Sequence, residues 1–210
     1  MRDTGFKPPQ PLYQRLAPTM EGSRGVVHDP NTRRMGGISG AAGLFATADD
    51  LARFAQAVLD EGRHPGGKIL NPDTVKAMVQ ANSPAGKLPV RGLGWAISSP
   101  SGNWSEMLPA GSFGHKGFTG TLLWVDPETR TYLIVLSNRV YPDGEARPET
   151  LRDKVFALAV QATGRPAPHL PPETSPGSVL PRSSNGVKVG VDVLSDRRFA
   201  PLYGKRVGLI

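Results

Sequence analysis

The sequence predicts an α+β chain in which a meander of antiparallel strands is set among amphipathic helices. Three observations predict it. Apolar residues repeat with helical spacing after Thr47; short apolar runs then flank a turn of hairpin length at Asp126–Arg130; and a second long helical pattern runs from Pro148 to Thr163 and meets Gly164.

Residues 1–46 are rich in Gly and Pro and hold no sustained period, so they read as loops draped over the rest of the chain. Thr47 is placed to cap a helix, with Asp50 three residues on, a capping-box arrangement with Asp in place of Glu. Leu51, Phe54, Ala55, Val58 and Leu59 follow as its apolar face, and Gly62 is its stop. A second helix is expected from Asn71, with Pro72 at its first position and Val75, Met78 and Val79 turned inward. Strand-like runs come next at Leu93–Ser98, Ser112–His115, Thr121–Val125 and Tyr132–Ser137, the last two joined across the DPETR turn. The final helix is expected to bury Leu151, Val155, Leu158, Ala159 and Ala162.

Residues 165–186 hold six prolines and no apolar period, which is the composition of a semi-extended linker. Pattern resumes at 187–210, and the chain stops inside the apolar run Val207–Ile210, so the last segment reads as the beginning of a further domain. The expected division is thus 1–164, a linker over 165–186, and 187–210.

At 210 residues and 38% hydrophobic content, one domain with a sizeable core is within reach. No run of 18 apolar residues exists, which argues against a transmembrane helix. The opening MRDTGFKPPQPL lacks the apolar stretch of a secretory signal. Cysteine is absent, so disulfides, thiol catalysis and thiolate metal sites are excluded together. The net charge of +7 is scattered in pairs such as Arg33/Arg34 and Arg197/Arg198, not gathered into a stripe beside aromatics. A solvated basic surface explains it better than a nucleic-acid interface.

Four histidines are available for chemistry, and His64 and His169 sit in Pro/Gly loops as surface residues. His28-Asp29 is a pair that ligates metal elsewhere, but no second cluster stands at ligand spacing, and no metal is expected. Gly37-Ile38-Ser39-Gly40-Ala41 has the outline of a nucleophile elbow, yet that turn needs a strand before it and a helix directly after it. Ser39 therefore remains an alternative nucleophile beside the simpler reading of a glycine-rich turn. The richest stretch is FGHKGFTGT, Phe113 to Thr121, where two basic residues are followed by glycines. Glycine on a strand marks close approach by a ligand or another backbone, and a cation beside exposed N–H groups suits a carboxylate and an oxyanion. A polar hairpin strand with His and Lys in solvent fits the same residues.

GHKGFTGT, followed by a strand, DPET and YLIVLSNR, resembles the third active-site motif and following hairpin of the serine β-lactamase/penicillin-binding-protein superfamily. Class C-like enzymes, DD-peptidases and esterases are the nearer members. Their Lys-Thr-Gly or His-x-Gly triplet corresponds to His115-Lys116-Gly117. GLFATADDLARFAQAVLDEG is similar to a helix of the family, GLGWAIS to the strand before the motif, and MRDTGF to an internal segment of its members, so Met1 is expected to be internal.

The resemblance implies an antiparallel sheet flanked by helices, incomplete here, and a serine acyl hydrolase without a cofactor. It implies that His115 stands in for the lysine that binds the substrate carboxylate and tunes proton transfer. Gly117 would keep the strand open to the acyl group, and Phe118 would offer its N–H to the oxyanion. Lys116, Thr119 and Gly120 would contact substrate or shape the rim. His for Lys departs from true β-lactamases, because a histidine is mostly neutral near pH 7. A larger departure is that no serine is followed three residues later by lysine, so S-x-x-K, in which the lysine takes the serine's proton, is absent; so is the Tyr-x-Asn-type second motif. Residues 187–210 resemble the opening of the exo-β-N-acetylmuramidase family. Both resemblances imply cell-wall chemistry, with a peptidoglycan peptide, β-lactam or ester as partner, a periplasmic or extracellular parent, and a fragment inactive alone. A non-catalytic peptidoglycan-binding module is the alternative from another class, and an unrelated esterase using Ser39 is a second.

Overall fold

The computed structural model describes residues 3–87, 90–98, 108–146 and 150–166, together with the backbone of a strand at Gly208–Leu209. The first part of the chain, expected as loops, contains short elements. They are β1 (Gly5–Phe6), a 3-10 segment at Gln10–Arg15, α1 (Pro30–Arg34) and β2 (Leu44–Phe45), with β1 and β2 paired antiparallel. Asp29 caps α1 by accepting from the Thr32 N–H at 2.6 Å, and Pro30 opens the helix.

Helix α2 (Ala48–Leu59) begins where the sequence places it, with the Thr47 hydroxyl accepting from the Asp50 N–H at 3.3 Å. The capping box is only half built, because the Asp50 carboxylate is used elsewhere. It accepts from the Asp3 N–H at 2.9 Å and the Thr4 hydroxyl at 2.8 Å, which ties the DTGF segment to the helix. Gly62 ends the turn after α2 with φ +88°, and a Cβ there would lie 2.2 Å from the Leu70 carbonyl oxygen. The small hairpin of β3 (Arg63–His64) and β4 (Gly67–Lys68) follows, and then α3 (Pro72–Val79).

Four strands form the expected meander: β5 (Ala96–Ile97), β6 (Phe113–Lys116), β7 (Thr121–Asp126) and β8 (Thr131–Leu136). They pair antiparallel in sequence order, with Gly114 opposite Ala96, His115 opposite Leu123, and Leu123 opposite Ile134. A fifth strand, β9 (Gly208–Leu209), joins β8 in parallel, opposite Ile134 and Val135. Otherwise, the expected linker beyond Pro166 and the remainder of 187–210 lie outside the described residues.

Helix α4 (Thr150–Ala162) covers one face of the sheet, where Phe156 and Val160 pack with Leu122, Trp124, Leu133 and Val135. Helices α2 and α3 cover the other, where Ala55, Val58 and Val75 pack with Trp95, Phe113 and Val125. Both faces are buried, which is why β7 and β8 read as continuous apolar runs and not as alternating ones. The buried face of α4 differs from the expected one. Leu151 is exposed and Ala162 lies outside the core, whereas Arg152, Val155, Phe156, Ala157 and Val160 are buried. The helix is rotated so that the 152–156–160 row faces the sheet, and its first member is an arginine. Among the described residues, no helix is long and apolar enough to cross a membrane.

Candidate active site

Strand β6 and the turn after it bring the expected site residues together. The β5 ladder ends at Gly114, so among the described residues His115 and Lys116 pair with β7 on one side and leave the other edge of β6 open. Strand alternation separates the two side chains. His115 continues the Phe113 row on the α2/α3 face and is exposed at its end. Partial desolvation and the Arg91 guanidinium hold its pKa below the ordinary 6.5, against an opposing hydrogen bond at Lys116. It is therefore chiefly neutral at pH 7.

Lys116, expected beside substrate, points to the α4 face and pairs with Asp153 at 3.6 Å, both side chains being largely buried. Burial lowers its pKa, Asp153 opposes that, and Arg152 and Arg139 add to it. Its contacts tie α4 to β6.

Gly117 to Gly120 form a tight turn, with the Gly120 N–H donating to the Gly117 carbonyl at 3.1 Å and the Gly117 N–H to the Thr121 carbonyl at 2.8 Å. The Phe118 N–H donates in neither bond. At Gly117 a Cβ would lie 2.1 Å from Thr121 Oγ1, so the hairpin itself requires glycine there. Gly120, at φ +114°, would press a Cβ against Ser137 Oγ and the Arg139 N–H.

Groups behind the turn, which the sequence did not flag, hold its carbonyls. Arg152 Nη1 donates to Gly117 O at 3.1 Å and Thr121 O at 3.2 Å. Arg139 Nε donates to Phe118 O at 2.6 Å, and the Arg139 N–H donates to Thr119 O at 2.8 Å. Ser137 Oγ donates to Gly120 O at 2.5 Å. Five successive carbonyls thus accept from Arg152, Arg139 or Ser137. The Phe118 ring, 59% exposed, lies between the Arg139 guanidinium, 5.0 Å from its centroid, and the stacked His28 ring at 5.5 Å. His28 is held by the Gly144 carbonyl at 3.1 Å, and Asp29 is committed to capping α1. The pair is therefore built into the fold separately.

Ser39 lies in the irregular segment between α1 and β2, where its hydroxyl accepts from the Ala41 N–H at 3.1 Å. No strand precedes it directly and the next helix starts at Ala48, so it lacks the geometry of a nucleophile elbow. The arrangement around β6 offers an open strand edge, an exposed imidazole and an outward backbone donor, which suits an extended acyl substrate and its oxyanion.

Comparison with known proteins places these features in a family context. The model of the beta-lactamase family matches residues 1–157. A protein of Escherichia coli strain K12 named "Putative D-alanyl-D-alanine carboxypeptidase" is 30% identical over 156 residues, covering 64% of this chain and 34% of that protein. A protein of the same name from Salmonella gallinarum is 33% identical over 153 residues, with the same coverage. The chain spans about a third of the length of these curated relatives.

Proposed function

This chain belongs to the beta-lactamase family, and from that premise we propose that it supplies the third-motif half of a serine acyl hydrolase of peptidoglycan metabolism. The substrate is a D-Ala-D-Ala-type peptide, a β-lactam or an ester, met in the periplasm or at the cell wall. The observation that carries this reading is the open edge of β6 at His115, directly before a turn whose Phe118 N–H faces away from its own hydrogen bonds. His115 contacts the substrate's carboxylate end, chiefly as a neutral hydrogen-bonding group at pH 7. Phe118 N–H is one of the two donors an acyl-transfer oxyanion needs. Thr119 and Gly120 form the rim, and Lys116 acts behind the strand.

The nucleophile must come from an S-x-x-K segment, in which the lysine one helical turn on takes the serine's proton. This sequence holds none. The alternative reading, a module that keeps the cleft for binding peptidoglycan and performs no chemistry, needs no such segment.

A hybrid separates the two. The N-terminal part of the Escherichia coli relative, joined ahead of residue 1, gives a protein that hydrolyses a chromogenic ester and releases D-alanine from a D-Ala-D-Ala peptide. Substituting His115→Ala in it weakens the peptide reaction more than Lys116→Ala does. A folded hybrid that binds peptidoglycan peptide and turns over neither substrate would favour the binding module.

A further inference from the structure

We infer that Arg152 is a positioning residue whose buried guanidinium grips the Gly117–Thr121 turn by its carbonyls and keeps the Phe118 N–H aimed outward as an oxyanion donor. The catalytic meaning of this rests on the acyl-hydrolase reading; the clamp itself is a property of this chain.

Arg152 sits in the first turn of α4 and is 2% exposed. It occupies the row that continues through Phe156 and Val160, where an apolar side chain would pack without desolvating a charge. Burying a guanidinium is costly, and replacing such a group with well-packed apolar atoms is often neutral or stabilising. The fold nevertheless places a charge here and spends one nitrogen on two carbonyls, Gly117 O and Thr121 O, which bracket the turn. It also brings a second guanidinium, Arg139, onto Phe118 O, although the two cations repel each other. Asp153 offsets part of that repulsion, 3.6 Å from Arg152 Nε, while also meeting Lys116.

An oxyanion donor works through prior orientation, since a donor already aimed pays no reorganisation when charge develops. The Gly117 carbonyl and the Phe118 N–H belong to one planar trans peptide and point in opposite directions, so a carbonyl held by Arg152 and by the Gly120 N–H sends the Phe118 N–H away from both. The Phe118 N–H is thereby fixed toward the open edge of β6. Guanidinium groups on the successive Gly117 and Phe118 carbonyls also favour negative charge near the Phe118 N–H.

The test uses the 210-residue chain and 15N relaxation of its backbone amides. In the unsubstituted protein, the Phe118 and Thr119 amides have order parameters near about 0.85, as rigid backbone does, and in R152M they fall below about 0.6. Leu122–Val125 and Leu133–Val135 keep their order, and R152K restores part of the loss at Phe118. R165M is the control, because Arg165 is a partly buried arginine that pairs with Asp126 at the far end of the hairpin. It lowers stability and leaves Phe118 rigid. The inference is overturned if Phe118 stays ordered in R152M, or if R165M loosens it equally. Should R152M fail to fold, R152K and R139Q decide, and an unchanged Phe118 in both overturns it. A hybrid that folds and lacks hydrolase activity while R152M still frees Phe118 refutes the hydrolase reading and leaves the clamp standing.

Discussion

Replacing Asp50 by alanine removes the anchor that holds the DTGF segment onto α2. The carboxylate is 2% exposed and accepts from the Asp3 N–H at 2.9 Å, the Thr4 hydroxyl at 2.8 Å and Arg53 at 2.8 Å. Hydrogen bonds to a charged group contribute about 1.5–3 kcal/mol each. The two from Asp3 and Thr4 therefore amount to roughly 3–6 kcal/mol before their partners regain water. The Arg53 side chain is 65% exposed, so that pair adds at most about 1 kcal/mol. Because Asp3 is exposed and Thr4 only partly buried, both recover hydration, and a net loss of about 3 kcal/mol is expected. Urea unfolding at pH 7 reads it as a lower midpoint at unchanged slope.

The same group sets an acid limit. Burial pushes the Asp50 carboxyl up, but the bonds from Thr4, Asp3 and Arg53 outweigh it and hold the pKa below 3.8. Its contribution is therefore complete above pH 3.8 and is lost as pH falls through the lower folded value. Asp49, exposed one position earlier in the same turn, is the control. A D50A midpoint indistinguishable from that of D49A would refute the anchoring argument.

Other perturbations test the rest of the fold and site. Gly62→Ala forces a Cβ toward the Leu70 carbonyl at a left-handed φ, and should cost about 2 kcal/mol or more in urea unfolding. Trp124→Phe removes the buried bond from Nε1 to Ser112 Oγ at 2.9 Å and shrinks the ring packed edge-on to Phe156; about 2–3 kcal/mol should be lost. His115, with its pKa below 6.5, gains charge only as pH falls past that lowered value. The KM of the hybrid for a carboxylate-bearing peptide should therefore fall on acidification, while that for a neutral ester stays level. A peptide KM that is flat from pH 8 to 5 would count against His115 as the carboxylate contact.

The meander and the long helices were legible because burial on both faces writes continuous apolar runs into β7 and β8, and a helical period into α2. The elements in residues 1–46 were not, because tertiary contacts such as Asp50 with Thr4 hold them. One signal was present there: Asp29 followed by Pro30 is a cap and a first helical position, and α1 starts at that point. On the site side, the strand carrying His115 followed from local pattern. Its partners did not, since Arg139 and Arg152 reach the turn from the segment after β8 and from α4, across 21 and 35 residues of sequence. The 152–156–160 spacing held the clue, because an arginine in line with Phe156 and Val160 on a helix is either buried with acceptors or out of register. The placement of Lys116 on the face opposite His115 also follows from strand alternation alone.

That this chain carries the oxyanion part of an acyl hydrolase and takes its nucleophile from an S-x-x-K segment is tested by intact-mass spectrometry after incubation with a penicillin or an activated ester. The 210-residue chain should take up no stoichiometric adduct, since loss of the nucleophile removes most of the rate. The hybrid should take up one acyl group, located on the S-x-x-K serine. A stoichiometric adduct on the chain alone, mapped to Ser39, would place the nucleophile in this chain and rule out the S-x-x-K source.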